Sequence, residues 1–306
     1  MYRVLEHRNV SITCFILFHI KSNILIFIFD FIGSYLVEKI NTHPDLELAF
    51  VWNRTTSSLD QFPNKDLIIT DLSEIKDREV DLIVEVAHPD VTRRWGPEFL
   101  KHADYMIGSP TALSDQSLED SLRAAATTHG LYIPTGAFWG GEDIKKMADR
   151  GTLQGLKVTM TKHPTSFKLG GHLKTKLEEV KDDSVVLYDG PVRELCPLAP
   201  NNVNTMAAAA LAAHNLGFDK VQGSIEADPR LTDWHIVEVD VWGPGDIQED
   251  RAFHVKTVRK NPAAVGAVTG SATYASFLSS MLDIYVKVSL PEREQDTGQS
   301  NLEEKV

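Results

Sequence analysis

The chain has 306 residues, 42% of them apolar, which predicts two globular domains and excludes a globally disordered chain. Its formal net charge is −12 and it has no block of Lys or Arg, so we expect neither nucleic acid nor a membrane surface among its partners. Its two cysteines, Cys14 and Cys196, are too few for a disulfide framework or a thiolate metal cluster, which favours a cytoplasmic location.

Both ends of the chain differ from its middle. Residues 10–20 and 24–32 form two apolar runs, each shorter than the roughly 18 residues of a membrane span. No small-residue cleavage site follows the first run, which argues against a secretory signal. Residues 291–306 are polar and lack apolar periodicity, so we expect a disordered tail there.

Strand and helix patterns alternate in the first part of the chain. Short apolar runs that are typical of buried strands lie at 24–29, 46–52, 81–87, 104–109 and 131–135. Helices are predicted at 33–41, 91–102 and 114–128. This alternation predicts an α/β Rossmann-type doubly wound parallel sheet in a first domain over 1–136, whose residues 1–30 are atypical.

After Gly136 the pattern changes, because fewer helices separate the apolar runs. Strands are predicted at 157–162, 184–189, 221–227, 235–242 and 252–258. They indicate an α+β domain with a mostly antiparallel sheet over 137–260. A closing helix is expected within 261–290, most clearly over 271–284.

Gly33 opens a predicted helix, and Asn53 ends the next strand twenty residues later. This spacing separates the third glycine of a dinucleotide-binding motif from the residue that contacts the ribose. The positions of the first two glycines hold Ile28 and Asp30, whose side chains would crowd a pyrophosphate. Taken alone, Gly33 is also explained as a helix-packing glycine.

The residues after the second predicted strand bear on the choice of cofactor. A carboxylate at position 53 would repel the 2′-phosphate of NADP, whereas Asn53 is neutral and Arg54 offers a guanidinium fork. We therefore expect NADP to be accepted at least comparably to NAD. The alternative is a strand that simply ends in polar turn residues.

Two loops are candidate ligand sites. Residues 133–141 follow a strand end with small side chains that leave room for a flat ring, although a domain hinge explains them too. Asn201, Asn202 and Asn204 precede an Ala-rich helix and offer amides to a carboxylate or carboxamide. Ordinary N-capping accounts for one of these asparagines but not for all three.

His235 is the best candidate for proton transfer, since the pKa of a histidine lies near neutrality. It shares the parity of Val237 and Val239, so it is expected on the buried face of its strand, at the mouth of the core. A structural histidine is the alternative. His88, at the carboxyl end of a predicted strand, is the second choice. No HxH or HExxH motif and no carboxylate cluster indicates a metal.

Eight segments together resemble the L-aspartate dehydrogenase family over about residues 33–280. In chain order they are VWNR, VEVAHP, GSPTALSD, PTGAFWGGEDI, CPLAPNNVNTMAAAALAA, GFDKV, EADPRLTDWHIV and NPAAVGAVTGSAT. The resemblance implies a Rossmann domain, an α+β domain and oxidation of L-aspartate to iminoaspartate with NAD or NADP. Iminoaspartate then hydrolyses to oxaloacetate and ammonia, or feeds pyridine-nucleotide biosynthesis in some organisms.

The same resemblance implies roles for single residues. His235 matches the family's catalytic histidine, and Ala137 and Asn204 match its cofactor-contacting residues. Lys162 matches a basic position near the substrate. The expected cofactor site is completed by Gly33, Asn53, Arg54, Ala87 and His88.

The resemblance begins abruptly at Ile32, which indicates a divergent or mispredicted first exon over 1–31. Two functions stay open on the sequence. The first is an active L-aspartate dehydrogenase, supported by Ala137, Asn204 and His235. The second is a catalytically impaired relative that acts as a nucleotide- or protein-binding module. A homodimer is possible through an open face or edge of the second sheet.

Overall fold

The computed structural model describes residues 2–3, 22–27 and 31–289, which fold into two sheets with helices packed around them. The first sheet consists of β1 (Tyr2–Arg3), β2 (Ser22–Phe27), β3 (Leu46–Trp52), β4 (Leu82–Glu85), β5 (Asp104–Ile107) and β6 (Leu131–Ile133). The helices of this part are α1 (Phe31–Thr42), α2 (Pro89–Phe99) and α3 (Gln116–Ala125). Short 3-10 turns lie at Thr56–Leu59, Lys65–Leu67, Leu72–Asp77 and Pro110–Ser114.

The first sheet is parallel except at its added edge strand. Its order is β1-β6-β5-β4-β2-β3, and only β1 runs antiparallel to its neighbour. Beyond β3, Ile68 forms one parallel bridge with Val51. A doubly wound sheet of the dinucleotide-binding type has a further strand at this position. The predicted Rossmann-type sheet is therefore confirmed. Ile28 and Asp30 lie outside the described residues.

Local sequence explains why these elements form. The central strand β4 is apolar at three successive positions, all buried, as expected for a strand covered on both faces. Helix α2 begins at Pro89 because His88 caps it, its side chain accepting a hydrogen bond from the Asp90 amide. Asp115 caps α3 in the same way, through the amides of Ser117 and Leu118.

The second sheet is mostly antiparallel, as predicted. Its strands are β7 (Gly155–Lys162), β8 (Val185–Pro191), β9 (Gln222–Ala227), β10 (Trp234–Asp246) and β11 (Arg251–Pro262). Their order is β11-β10-β7-β9-β8, and only β7 and β9 pair in parallel. The helices of this part are α4 (Gly141–Asp149), α5 (Gly171–Glu178), α6 (Val192–Leu195), α7 (Asn204–Ala212) and α8 (Gly217–Lys220), with a 3-10 turn at Pro164–Ser166. The strand β11 runs to Pro262, past residue 260, where the second domain was expected to end.

The closing helix α9 (Ala272–Ser289) leaves the second sheet and packs on the first part of the chain. Phe277 and Met281 are buried in one apolar cluster with Ile24 and Ile26 of β2. Tyr274 also lies against Tyr35 of α1, with ring centroids 6.0 Å apart. The helix therefore connects the second sheet to the Rossmann-type sheet and packs beside α1.

Polar contacts fix the two parts against each other. The Thr111 hydroxyl donates to the carbonyl of Pro200 at 3.0 Å, and Arg259 donates to the carbonyl of Gly136 at 3.2 Å. Arg193 forms an ion pair with Asp219 and also donates to the Ser114 carbonyl. As a result, the carboxyl end of the first sheet faces one end of the second. Within the described ranges, no helix is long and apolar enough to cross a membrane.

Candidate active site

Two adjoining cavities lie between the two parts of the molecule. The first, of ≈ 90 Å³, is lined by His235, Lys162 and Ala137 and is called the histidine cavity below. The second, of ≈ 300 Å³, is lined by Ala87 and Ser109 and is called the loop cavity. The two share several residues: Ile32, Gly108, Asn201, Asn204, Val268, Thr269 and Phe277. They form one cleft at the carboxyl end of the parallel sheet, where doubly wound folds bind ligands.

His235 lies on the buried face of β10, as its parity predicted, and is 4% exposed. Burial, and secondarily the neighbouring Lys162, lowers the pKa of its imidazole to about 4, while a hydrogen bond with the Ala267 backbone opposes this change. Its Nε2 has no hydrogen-bond partner among the described residues. The ring is therefore neutral near pH 7, with an Nε2 that is free to meet a ligand.

Lys162 is the last residue of β7 and is also only 4% exposed. Its Nζ donates to the Val268 carbonyl at 2.9 Å and lies 5.7 Å from the ring centroid of Phe167. No carboxylate pairs with it in the described part of the chain, and burial lowers the pKa of its ammonium to about 7. An anionic ligand would supply the missing countercharge.

Two asparagines of the loop 201–204, Asn202 and Asn204, have different roles. Asn202 is structural, because its Oδ1 accepts from the Lys168 amide at 2.8 Å and its Nδ2 donates to the Ser166 carbonyl at 3.1 Å. Asn204 begins α7 and lines both cavities, and its buried Oδ1 has no partner among the described residues. Asn204 is thus available to a ligand, as the sequence indicated.

Glu85, which sequence reasoning did not single out, organises the loops around the loop cavity. Its buried carboxylate accepts from the amides of Ala87 and His88 at 2.6 and 2.8 Å, and from the Ser109 amide at 2.9 Å. Burial raises the pKa of this carboxyl to about 7 against the effect of these hydrogen bonds. Glu85 therefore joins the loops that follow β4 and β5. Its position at the end of a buried strand is the one signal that could have revealed it.

The remaining predicted cofactor residues are spread along the same edge. Gly33 is buried in the first turn of α1, next to Ile32, which lines both cavities. Asn53 is buried after β3 and accepts a hydrogen bond from the Thr55 amide at 2.9 Å. Neither Asn53 nor Arg54 lines either cavity, and His88 caps α2 instead of lining one.

The cleft has features that a dinucleotide requires. At Gly108, which lines both cavities, an added Cβ would lie 2.2 Å from the Glu85 carbonyl, so only glycine allows the ends of β4 and β5 to approach this closely at the cavity wall. The N-terminal turn of α1 reaches the cleft through Ile32, and the N-terminus of a helix is suited to an anionic group such as a phosphate. Asn204 adds an unpaired amide oxygen. Among the described residues no cluster of His, Cys, Asp and Glu is suited to a metal.

Two family models match the chain in succession. Residues 31–134 match the NAD-binding domain of homoserine dehydrogenase, and residues 143–280 match the C-terminal domain of aspartate dehydrogenase. An aspartate dehydrogenase domain-containing protein of Xenopus tropicalis is 54% identical over 256 residues, which cover 82% of this chain and 90% of the relative. The chain belongs to the aspartate dehydrogenase family. The resemblance noted in the sequence is thereby confirmed, and NAD or NADP is its cofactor class.

One more distant relative and one solved structure are also similar to this chain. The L-aspartate dehydrogenase of Methanococcoides burtonii is 32% identical over 224 residues, covering 69% of this chain and 80% of that enzyme. The crystal structure of aspartate dehydrogenase from Thermotoga maritima superposes with a TM-score of 0.64 at 19% identity. It covers 88% of this chain and 97% of the other, and at this identity the likeness concerns the fold alone.

Proposed function

We propose that this protein oxidises L-aspartate with NAD or NADP to iminoaspartate, which hydrolyses to oxaloacetate and ammonia. One observation carries the proposal: a buried lysine, Lys162, which has no carboxylate partner among the described residues, and a neutral histidine, His235, line one cavity against the NAD-binding domain. A dicarboxylic amino acid offers an anion to the first and an amine to the second. Membership of the aspartate dehydrogenase family makes L-aspartate the first substrate to test.

The cofactor site consists of residues along the cleft. Gly33 is buried in the first turn of α1, Ala87 lines the loop cavity, and Ala137 and Asn204 line the histidine cavity. When bound, the cofactor supplies the hydride acceptor for the Cα hydrogen of the substrate. The residues of the chain supply orientation and the handling of protons.

Lys162 is suited to hold a substrate carboxylate. Burial removes water from the Lys162 Nζ, and the Val268 carbonyl is its one hydrogen-bond acceptor among the described residues. A carboxylate that binds there would therefore stabilise the ammonium form. Because the anion favours the charged form of the lysine, substrate binding is expected to raise the pKa of Lys162. The ammonium then stays protonated across the neutral range.

His235 is suited to accept a proton from the substrate's amino group. The ring is neutral near pH 7, and its hydrogen bond with the Ala267 backbone raises the pKa, so the ring donates that bond through Nδ1. The Nε2, which has no partner among the described residues, then keeps its lone pair for an N–H donor. The substrate's carboxylates are expected to raise the pKa of the imidazole, so that it can retain the proton. The same nitrogen can then orient the water that attacks the imine.

Two further expectations concern the setting of the enzyme. We propose a cytoplasmic location and a homodimer formed through the outer edge of the second sheet. There, Phe253 and Val255 of β11 are exposed beside Trp139, along a groove of ≈ 510 Å³. Sedimentation equilibrium is expected to give the mass of two chains, and the mass of one chain would contradict the proposal.

A second candidate function rests on the departure in the dinucleotide motif. Ile28 and Asp30 stand where two glycines are expected, and an acidic side chain there opposes a pyrophosphate. On this basis the chain would be a catalytically impaired binding module. Calorimetric titration with NAD and NADP distinguishes the two functions. An Ile28→Gly, Asp30→Gly double variant that binds roughly tenfold or more tightly than the natural chain would favour the impaired relative.

Spectrophotometric detection of reduced cofactor tests the proposed activity. Purified protein is incubated with NAD or NADP and with L-aspartate, D-aspartate, L-glutamate or L-malate. Reduction with L-aspartate well above the other three is expected. Equal reduction with all four compounds, or no reduction with L-aspartate, would contradict the assignment.

A further inference from the structure

Three polar side chains form a row across neighbouring strands of the second sheet. His235 of β10 pairs directly with Asn261 of β11. On the other side of β10, Ile236 pairs with Thr161 of β7, so Lys162 takes the position beside His235. All three side chains are buried and line the histidine cavity. Adjacent strands lie about 5 Å apart, so a small ligand can contact the whole row.

Asn261 is the third member of this row. It is 2% exposed, and its Oδ1 has no hydrogen-bond partner among the described residues. Gly270 packs over it, at a distance where an added Cβ would lie 3.0 Å from the Asn261 Cβ. A buried acceptor without a donor destabilises the folded chain. A ligand with an N–H group removes that cost by donating to it.

The polarity of the row fixes which ligand groups it can take. At one end Lys162 presents only N–H donors, which suit a carboxylate. At the centre the neutral His235 has an unpartnered Nε2, and at the other end Asn261 carries an unpartnered acceptor, Oδ1, beside its Nδ2 donor. The two acceptors suit an ammonium or amine. An α-amino acid carries a carboxylate and an amine on one carbon, so it matches this order of donors and acceptors.

We propose that Asn261 binds the α-amino group of the substrate, with its Oδ1 accepting an N–H, while Lys162 holds a carboxylate. This inference rests on the proposed function, since it names the contact that selects an amino acid at that site. Together with His235, Asn261 then distinguishes an amino dicarboxylate from one without the amine. A hydroxyl in place of the amine would satisfy only one of the two acceptors.

Comparing two ligands in variants of position 261 tests the contact. Succinate has both carboxylates of L-aspartate but no amine. Calorimetry in the presence of NADPH is expected to show that Asn261→Ala weakens L-aspartate binding by roughly 10- to 100-fold, the worth of a hydrogen bond to a charged group. Succinate binding is expected to change by less than about twofold, because succinate makes no such bond.

Two further variants separate the contact from effects on folding. Asn261→Asp keeps the volume and the acceptor, so it is expected to retain the preference for L-aspartate over succinate. Thr257→Val is a matched control, since Thr257 lies on the same strand and face and its hydroxyl is also buried without a partner among the described residues. It does not line the histidine cavity, and it is expected to leave the binding of both ligands unchanged.

The outcomes distinguish this inference from the function on which it rests. Suppose that the natural chain oxidises L-aspartate, but that Asn261→Ala and Asn261→Asp weaken the binding of L-aspartate and succinate equally or leave both unchanged. The contact is then refuted and the function stands. If the natural chain binds succinate as tightly as L-aspartate and oxidises neither, the proposed function itself fails.

Discussion

Replacing Lys162 by Met is expected to stabilise the protein while abolishing substrate binding. Lys162 is buried, and the carbonyl of Val268 is its single hydrogen-bond acceptor within the described structure. Met has a similar length and no charge, so it fits the same space without the cost of burying an ammonium. A buried lysine that lowers stability is explained if Lys162 binds a ligand.

The size of the effect follows from the pKa of the lysine, which burial lowers from 10.5 to about 7. Each tenfold change in proton affinity is worth about 1.4 kcal/mol, so burial of Lys162 costs on the order of 4 kcal/mol at pH 7. Losing the hydrogen bond to Val268 offsets about 1 kcal/mol of this. We therefore expect Lys162→Met to raise the free energy of unfolding by about 3 kcal/mol.

The gain is expected to depend on pH with a definite sign. Between pH 7 and 10.5 the unfolded chain keeps the proton of Lys162 and the folded chain releases it. Natural-chain stability therefore rises with pH across this window, and the advantage of Lys162→Met falls by about 1.4 kcal/mol per pH unit. Urea denaturation of both proteins at several pH values in this window measures it. A gain that stays constant with pH would refute the reasoning.

Three further substitutions test other parts of the site. His235→Ala is expected to lower turnover by roughly 10²–10⁴-fold with the fold intact, because it removes a positioned acid–base group; near-normal turnover would contradict the role. Asn53→Asp is expected to shift the ratio of catalytic efficiencies from NADP toward NAD, since a carboxylate repels the 2′-phosphate, and an unchanged ratio would mean that position 53 does not face the ribose. Glu85→Gln is expected to weaken cofactor binding, measured by calorimetry at about pH 8, where the natural carboxylate is ionised and accepts from the Ser109 N–H that the amide N–H of the variant would oppose. The folded chain holds the Glu85 proton up to about pH 7 and the unfolded chain only to 4.5, so natural-chain stability should fall as pH rises through that window. Glu85→Gln should lack this fall, and an identical pH dependence would argue against a buried, proton-binding Glu85.

Much of the fold was predictable because its signals are local. The strand Leu46–Trp52 was predicted with its observed bounds, since polar Asp45 and Asn53 flank an apolar run. Helix α2 was predicted two residues late, because its start is set by the His88 cap and Pro89, which apolar periodicity does not register. Helix α4 was not predicted; it follows Gly140, whose φ of 80° turns the chain in a way that pattern alone does not reveal.

The site was predictable only where one residue carried its own signal. His235 stands out by residue type and strand parity, and Lys162 by resemblance to the family. Asn261 drew no attention, because its importance depends on the register between β10 and β11, which places it opposite His235. Glu85 was missed for the same reason, since its three amide donors come from two loops that the fold brings together.

Transfer of deuterium tests the central claim most directly. The natural chain is incubated with oxidised NAD or NADP and L-aspartate that carries deuterium at Cα, and the reduced cofactor is analysed by mass spectrometry. The account predicts deuterium in the reduced cofactor, and little or none when His235→Ala replaces the natural chain over the same interval. Reduced cofactor without deuterium, or no reduction at all, would contradict hydride transfer from the Cα of L-aspartate.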